Sequence, residues 1–81
     1  MRTEVKLPKF NLSAQSATVG SVLVKKNDYV ESDDELMQME SDKMMFPIQA
    51  PISGYITEIL AEEGEEVNVG ASLIVISDKQ E

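Results

Sequence analysis

Hydrophobic side chains alternate with other residues in several short segments of the chain. The alternating positions are Val5 and Leu7, Val22 and Val24, Met37 and Met39, and Phe46, Ile48 and Ala50. A period of two is typical of strands that bury one face, and no segment keeps a helical period over three turns. The pattern therefore predicts an all-β fold of short strands, with Met37 and Met39 in the core.

Three prolines interrupt or follow these alternating segments. Pro47 lies inside the segment from Phe46 to Ala50, Pro51 directly follows that segment, and Pro8 directly follows Leu7. A proline has no backbone N–H to donate to a neighbouring strand, so it is confined to edge strands and strand ends. The segments around the three prolines are therefore predicted at sheet edges or at the ends of strands.

The second part of the chain repeats the first at a fixed offset. Apolar residues coincide at Val19 and Ile56, Val22 and Ile59, Leu23 and Leu60, Val30 and Val67, Leu36 and Leu73, Met37 and Ile74, and Met39 and Ile76. The same offset pairs Asn27 with Gly64 and Asp33 with Gly70. These residue types tolerate the positive φ that tight turns need. Both the strands and the turns are therefore predicted to repeat.

The repeat predicts two quasi-symmetric halves of about four short strands each. Halves of this size are too small to bury a face alone, so they are expected to pack against one another as a flattened β-barrel or two-sheet sandwich. Residues 1–81 then form one domain with a core at about 5–77. The halves meet near residues 41–44, which a pseudo-twofold axis would place opposite both termini. The offset pairs Lys43 with Gln80.

The charge and the missing residue types exclude several functions. Fifteen acidic and seven basic side chains give a net charge of −8 at pH 7. This charge repels phosphate backbones and anionic lipid surfaces, so neither nucleic acid nor a membrane is an expected partner. The chain has no Cys and no His. We therefore expect no zinc site and no catalytic residues. The acidic residues near Asp28 and Asp33 lack the spacing and central glycine of a calcium loop, so no other metal site is expected.

The hydrophobic content indicates a folded domain outside the membrane. Hydrophobic residues make up 42% of the chain, which excludes a disordered tail. No apolar run is long enough to span a bilayer, and residues 1–4 lack the apolar stretch of a secretory signal. The sequence predicts a cytoplasmic location, or the mitochondrial matrix if the domain is excised from a eukaryotic protein.

The junction between the halves has the composition of a β-hairpin turn. Met39 and Glu40 end one alternating segment, and Met45 begins the next. Residues 41–44, Ser-Asp-Lys-Met, are left as the turn, in which Ser and Asp side chains can hydrogen-bond to nearby backbone amides. Lys43 is therefore predicted to project into solvent from the hairpin tip.

Several short motifs surround this hairpin. They are Asp28-Tyr29-Val30, Glu40, Asp42-Lys43, Ala50-Pro51-Ile52-Ser53-Gly54, Glu63-Gly64-Glu65 and Val69-Gly70. Through these residues the chain from Val5 to Ser77 resembles the biotinyl and lipoyl attachment domains. The resemblance implies a flattened β-barrel of two four-stranded halves, with the modified lysine, here Lys43, in the hairpin that joins them.

The residues next to Lys43 combine features of the two branches of this family. Glu40-Ser41-Asp42 before the lysine is similar to the lipoyl branch, whereas Met44 after it is similar to the biotin branch. An aspartate beside the acceptor would bring a charge into a ligase pocket shaped for methionine, and this favours lipoate. The resemblance therefore implies lipoate on Lys43, with biotin as the alternative cofactor. Recognition by the ligase is assigned to Glu40, Asp42 and Met44.

The resemblance also implies the partners of such a domain. A lipoate-attaching ligase or transferase modifies the lysine. The lipoyl arm then serves a thiamine-dependent decarboxylase, an acyltransferase core and a flavin dehydrogenase of a 2-oxo acid dehydrogenase complex. The resemblance further implies that the domain is a monomeric carrier when isolated, and a non-catalytic part of an acyltransferase component. The loop after the first strand, residues 10–16, would help the decarboxylase to recognise its carrier.

Two other functions stay open from the sequence. One is a biotin carboxyl carrier domain of a carboxylase or decarboxylase. The other is an unmodified lipoyl-like adaptor module, although such modules usually lack a lysine at the hairpin tip. The acidic residues 62–66 are interpreted as a charged turn that discourages edge pairing.

Overall fold

A computed structural model describes residues 1–79 of the chain, and Gln80 and Glu81 lie outside the described residues. Within residues 1–79 every regular element is a strand, and no helix of membrane-crossing length and apolarity is present. The strands are β1 (Arg2–Lys6), β2 (Ser16–Val22), β3 (Tyr29–Val30), β4 (Glu35–Glu40), β5 (Met45–Gln49), β6 (Gly54–Ile59), β7 (Glu66–Asn68) and β8 (Ser72–Ser77). The all-β prediction is confirmed, and the predicted pairing of Lys43 with Gln80 lies outside the described residues.

The strands of residues 1–79 form two four-stranded antiparallel sheets. One sheet has the order β1-β8-β6-β3 and the other the order β5-β4-β2-β7. Exchanging β1 with β5, β2 with β6, β3 with β7 and β4 with β8 converts one order into the other, so the predicted quasi-symmetry is present. Each sheet takes two strands from each half, and the halves therefore interdigitate instead of forming one sheet each. The Cα atoms extend over 36 × 21 × 17 Å, which is a flattened sandwich.

Four turn residues adopt the left-handed backbone conformation. The φ angles are 78° at Asn27, 76° at Asp33, 87° at Gly64 and 91° at Gly70. Glycine reaches this region without a steric cost, and Asn and Asp do so more easily than other residues with a side chain. The prediction that these positions form equivalent turns in the two halves is confirmed.

The inward faces of the two sheets form the apolar core. Strand β4 illustrates the pattern, because Leu36, Met37 and Met39 have 0% exposure while Glu35 and Glu40 at its ends are exposed. Burying a side chain of this size stabilises the fold by about 1.5–3 kcal/mol. The assignment of Met37 and Met39 to the core is confirmed.

The segment from Ala50 to Gly54 owes its composition to specific contacts. Ala50 is buried beside the end of β5. The Ser53 hydroxyl accepts a hydrogen bond from the Ser32 N–H at 3.0 Å. A Cβ on Gly54 would overlap the carbonyl oxygen of Ser77, so only glycine allows β6 to approach β8 this closely. The motif therefore has a structural role in the connection between β5 and β6.

The prolines occupy the positions that their missing N–H requires. Pro47 lies in β5, which is an outer strand of its sheet. Pro8 follows the end of β1 and Pro51 follows the end of β5, and both strands are outer ones. The prediction of edge strands and strand ends is confirmed at all three positions.

The strand pairing places the β4–β5 hairpin and the chain termini at opposite ends of the barrel. At the terminal end, Arg2 pairs with Ser77. From the far end of β1 the chain crosses to the other sheet and begins β2 at Ser16. Shortly after, Thr18 pairs with Glu40 at the base of the hairpin. The hairpin therefore lies at the far end of β1, away from the termini.

Candidate functional site

A hydrogen-bonded turn joins β4 to β5. The Ser41 N–H donates to the Met44 carbonyl oxygen at 2.8 Å. The Ser41 hydroxyl donates to the same carbonyl at 3.1 Å and accepts the Met44 N–H at 3.3 Å. Asp42, for which the sequence allows a similar bond, forms none with residues 1–79. The frame of the turn is therefore fixed by Ser41, and Asp42 and Lys43 project from it.

The side chain of Lys43 is exposed at the tip of this turn. Within residues 1–79 it takes part in no hydrogen bond and no ion pair. A modifying enzyme can therefore reach Nζ without breaking a contact of the barrel. The exposed position at the tip agrees with the sequence-based expectation, and the modification itself stays a prediction.

The three residues assigned to ligase recognition lie close to Lys43 along the hairpin. Glu40 is the last residue of β4, Asp42 directly precedes the lysine, and Met44 directly follows it. All three side chains are exposed, and Met44 retains 40% of its accessible surface. The structure therefore brings the four predicted site residues to one surface, where another protein can contact all of them together.

A groove runs beside the hairpin tip. Residues 10–18 line one side and residues 40–43 the other, and Glu66 completes the lining. The loop on the first side is braced internally, because Asn11 Oδ1 accepts hydrogen bonds from the N–H of Ser13 at 3.0 Å and from its hydroxyl at 3.2 Å. The loop after β1 therefore lies beside Lys43.

Two contacts that sequence reasoning missed hold this loop in place. The ring of Phe10 packs on that of Phe46, with centroids 4.5 Å apart and planes tilted by 31°. The Ser16 hydroxyl donates to Glu66 Oε2 at 2.9 Å. Phe10 and Phe46 are the two phenylalanines of the chain, and their scarcity is the one feature of the sequence that could have suggested that they pack together. Glu66 reaches the groove because β7 pairs with β2. The local pattern of hydrophobic and polar residues does not predict that pairing.

Acidic side chains surround the lysine without forming a metal site. Glu40, Asp42 and Glu66 line the groove together with Lys43. Within residues 1–79, no three Asp, Glu, His or Cys side chains come close enough together to hold an ion. The chemical feature of the site is therefore an accessible primary amine in negatively charged surroundings.

Known proteins are similar to this chain over nearly its whole length. The biotin/lipoyl family model, described as "Biotin-requiring enzyme", matches residues 3–76. A dihydrolipoyllysine-residue succinyltransferase component of the 2-oxoglutarate dehydrogenase complex of Bartonella vinsonii subsp. berkhoffii is 37% identical over 73 residues, which are 90% of this chain and 18% of the relative. A dihydrolipoyllysine-residue acetyltransferase component of the pyruvate dehydrogenase complex of Corynebacterium glutamicum is 37% identical over 76 residues, 94% of this chain and 11% of the relative.

A solved structure of similar size agrees with these relatives. The lipoyl domain of the 2-oxoglutarate dehydrogenase complex of Azotobacter vinelandii superposes with a TM-score of 0.75 at 30% identity, over 91% of this chain and 94% of that domain. The chain spans less than a fifth of the two acyltransferase components, but nearly all of this separate domain. From the family match, the shared fold and the hairpin lysine, the chain belongs to the biotinyl and lipoyl attachment family.

Proposed function

We propose that this chain is a lipoyl carrier domain of a 2-oxo acid dehydrogenase complex, with lipoate attached through an amide bond to Nζ of Lys43. The observation that carries the proposal is the exposed lysine at the hairpin tip, which has no partner within residues 1–79. The preceding Glu40 and Asp42 are similar to the lipoyl branch of the family, and the lipoyl domain that matches over 94% of its length supports this choice.

The residues of this chain present the lysine, and another protein carries out the attachment. A lysine ammonium must lose a proton before it can attack an activated carboxyl group. No base contacts Nζ within residues 1–79, so the ligase or transferase supplies one. The new amide joins Nζ to the carboxyl carbon of lipoate and displaces the activating group. The lysine then loses its positive charge, so the net charge of the hairpin tip becomes more negative.

The barrel delivers the attached group to successive active sites. When bound, lipoate supplies a dithiolane that carries acyl groups and electrons. A tether raises the effective concentration of such a group at each active site that it can reach. The proposed partners are the attaching enzyme, a thiamine-dependent decarboxylase, an acyltransferase core and a flavin dehydrogenase. The domain itself catalyses none of their reactions.

The proposal names the class of 2-oxo acid complex and no particular acid. The relatives from a 2-oxoglutarate complex and from a pyruvate complex are both 37% identical. Overall similarity therefore does not separate the two. The loop at residues 10–16, which lies beside Lys43, is the part of the site that we assign to recognition of the decarboxylase.

Intact-mass measurement tests the attachment. The chain is incubated with a lipoate ligase, lipoate and ATP, and we expect one lipoyl adduct per chain. Lys43→Arg keeps the charge and removes the acceptor, so it should abolish the adduct. Lys26→Arg is the matched control, because Lys26 is also an exposed lysine in a tight turn, and it should be modified like the wild type. An adduct that persists in Lys43→Arg, or none in the wild type, would contradict the proposal.

A biotin carrier is the second candidate, and one residue favours it. Met44 directly follows Lys43 and is exposed, so a biotin ligase can read its thioether. Asp42 is the residue that opposes this assignment, because a pocket shaped for methionine would have to desolvate its carboxylate.

Substitution of Asp42 decides how the flanking residues select the cofactor. With biotin ligase, biotin and ATP, we expect Asp42→Met to increase streptavidin-detected labelling over the wild type. Asp42→Asn is the control, because it removes the charge without adding a thioether, and its labelling should stay below that of Asp42→Met. No labelling of Asp42→Met would rule out this explanation of selectivity. Strong labelling of the wild type would favour the biotin function.

A further inference from the structure

The two halves of the barrel contain an equivalent pair of bulges, and the residue inside the bulge is different in each half. The pairing of β2 with β4 is irregular between Val19 and Ser21, and that of β6 with β8 between Ile56 and Glu58. The residue inside the first irregularity is Gly20. The residue inside the second is Thr57, whose hydroxyl donates to the Val75 carbonyl oxygen at 3.1 Å.

Backbone geometry does not explain the glycine in the first half. Gly20 is not among the described residues with positive φ, which are Asn27, Asp33, Gly64 and Gly70. The equivalent position accepts threonine, a β-branched residue, in the same type of bulge. The bulge alone therefore places no requirement for glycine at position 20, and another contact has to account for it.

That contact is with Glu40. A Cβ added to Gly20 would lie 3.2 Å from Glu40 Cγ, 3.3 Å from Glu40 Cδ and 3.3 Å from the Gln38 carbonyl oxygen. In the second half the residue equivalent to Glu40 is Ser77, which is short and buried and leaves room for Thr57. The missing side chain at Gly20 therefore provides the space across which the Glu40 side chain lies.

We infer that Gly20 is a positioning residue, which sets the direction of the Glu40 carboxylate at the base of the hairpin and thereby its recognition by the enzyme that modifies Lys43. The inference rests on the proposed function and adds to it a residue in a different strand. Gly20 is exposed and far from the lysine in sequence. However, Thr18, two residues earlier in β2, pairs with Glu40. It acts through Glu40 because Glu40 is the side chain that a Cβ at position 20 would displace.

Gly20→Thr is the informative variant, because it copies the second half of the molecule. The introduced hydroxyl can donate to the Gln38 carbonyl as Thr57 donates to the carbonyl of Val75, so the fold should be retained. We expect the initial rate of lipoylation by a lipoate ligase to fall about fivefold, the scale of coupling between residues in direct contact. Thr57→Gly is the matched control in the other half and should be lipoylated at the wild-type rate. Gly20→Ala should show a smaller decrease, and it replaces Gly20→Thr if that variant does not unfold cooperatively.

A double-mutant cycle separates this role from a general effect on the fold. Glu40→Ser in the Gly20→Thr background recreates the Thr57 and Ser77 pair. If Gly20 acts through Glu40, Gly20→Thr should cause no further loss of rate once Glu40→Ser is present. A fivefold loss in both backgrounds, or a wild-type rate for a folded Gly20→Thr, would overturn the inference.

The position of the Glu40 side chain can also be measured without lipoylation of Lys43. Nuclear Overhauser effects between the Gly20 Hα protons and the Glu40 Hγ protons should be strong in the wild-type chain. Their absence would overturn the contact itself. A wild-type chain that shows them and gains no lipoyl adduct would contradict the proposed function, and with it the role assigned to the contact, while leaving the contact established.

Discussion

The hairpin end and the terminal end of the barrel are closed by equivalent hydrogen bonds. At the hairpin end, the Ser41 N–H donates to the Met44 carbonyl, and the Ser41 hydroxyl accepts the Met44 N–H. At the terminal end, the Asp78 N–H donates to the Met1 carbonyl at 3.2 Å, and the Met1 ammonium donates to Asp78 Oδ1 at 2.6 Å. The bonded residues are three positions apart in sequence at the first end and 77 positions apart at the second. The same pattern of bonds thus frames Lys43 in one half and joins β1 to β8 in the other.

Two differences between the halves lie close to the lysine. The connection from β1 to β2 spans residues 7–15, whereas the equivalent connection from β5 to β6 spans residues 50–53. The additional residues form the loop that lines the groove beside Lys43. Gly20, the equivalent of Thr57 in the other half, lies against the Glu40 side chain at the hairpin end. These two differences shape the surface around the hairpin tip.

The largest expected effects come from equivalent core positions, which test whether the halves are also equivalent in energy. Leu36 and Leu73 both have 0% exposure. Each substitution by alanine removes buried apolar surface and leaves a cavity, so we expect each to lower the free energy of unfolding by about 3–4 kcal/mol. Leu23→Ala, at a leucine with 51% exposure, is the control and should cost less than about 1 kcal/mol.

Urea unfolding followed by circular dichroism measures these three free energies. The values for Leu36→Ala and Leu73→Ala should agree within about 1 kcal/mol, because the two sites have the same burial and equivalent neighbours. A much larger gap would show that the symmetry of the backbone does not extend to the packing of the core.

The next effect tests a position at which the halves differ inside the core. Gly54 in β6 is equivalent to Ala17 in β2, and Ala17 is buried. A Cβ on Gly54 would overlap the Ser77 carbonyl and lie 2.9 Å from Ile76 Cγ2, so Gly54→Ala should destabilise the domain by about 3 kcal/mol. Ala17→Gly has room and should cost only about 1 kcal/mol. Thermal unfolding that gives Gly54→Ala the smaller cost would contradict the close approach of β6 to β8.

The sequence predicts the barrel well because its repeat falls on residues that the barrel needs. The alternation of Met37 and Met39 indicates a strand with a buried face, and both are in the core. The pairing of Asn27 with Gly64 locates equivalent turns, since only residues that tolerate positive φ can occupy them. The junction between the halves then locates the hairpin, and with it the exposed Lys43. These are local signals, and they require no knowledge of which strands are neighbours.

The remaining features depend on strand order, which the local pattern does not contain. The prediction of two halves packing on each other does not reveal that each sheet takes two strands from each half. The place of Glu66 in the groove follows from the pairing of β7 with β2, and the contact of Gly20 with Glu40 follows from a bulge between β2 and β4. A bulge shifts the register without a mark in the hydrophobic pattern. The presence of Glu40, Asp42 and Met44 near the lysine was predictable because they are its neighbours in sequence.

A smaller effect concerns the equivalent turns that carry Asn27 and Gly64. Both residues have positive φ, but only the first has a side chain. Gly64→Ala should cost about 1 kcal/mol, because alanine is strained in the left-handed region even where space is open. Gly64→Asn gives the second turn the chemistry of the first and should cost less than Gly64→Ala. Chemical denaturation compares the two variants, and equal costs would mean that the turns are not equivalent.

The smallest expected effect concerns the charged pair at the terminal end. The hydrogen bond from the Met1 ammonium holds the pKa of the exposed Asp78 carboxyl below its usual range. A carboxyl with a lowered folded-state pKa contributes stability that is present above its unfolded-state pKa of about 3.9. That contribution is lost as the pH falls through the lowered value. Because the pair is exposed, the effect is expected to be slight and to weaken with added salt.

Comparison with the hairpin end isolates this pH dependence. In a chain that begins at Met1, Asp78→Asn should lower the Tm more at about pH 6 than at about pH 2.5. Ser41→Ala removes the equivalent bonds at the hairpin, which involve no ionisable group, so its effect on Tm should be similar at both pH values. If Asp78→Asn also lowered the Tm equally at both, the contribution of the Asp78 side chain would not depend on its ionisation. The two ends would then match in energetics as well as in geometry, and the charge on Asp78 would have no part in closing the barrel.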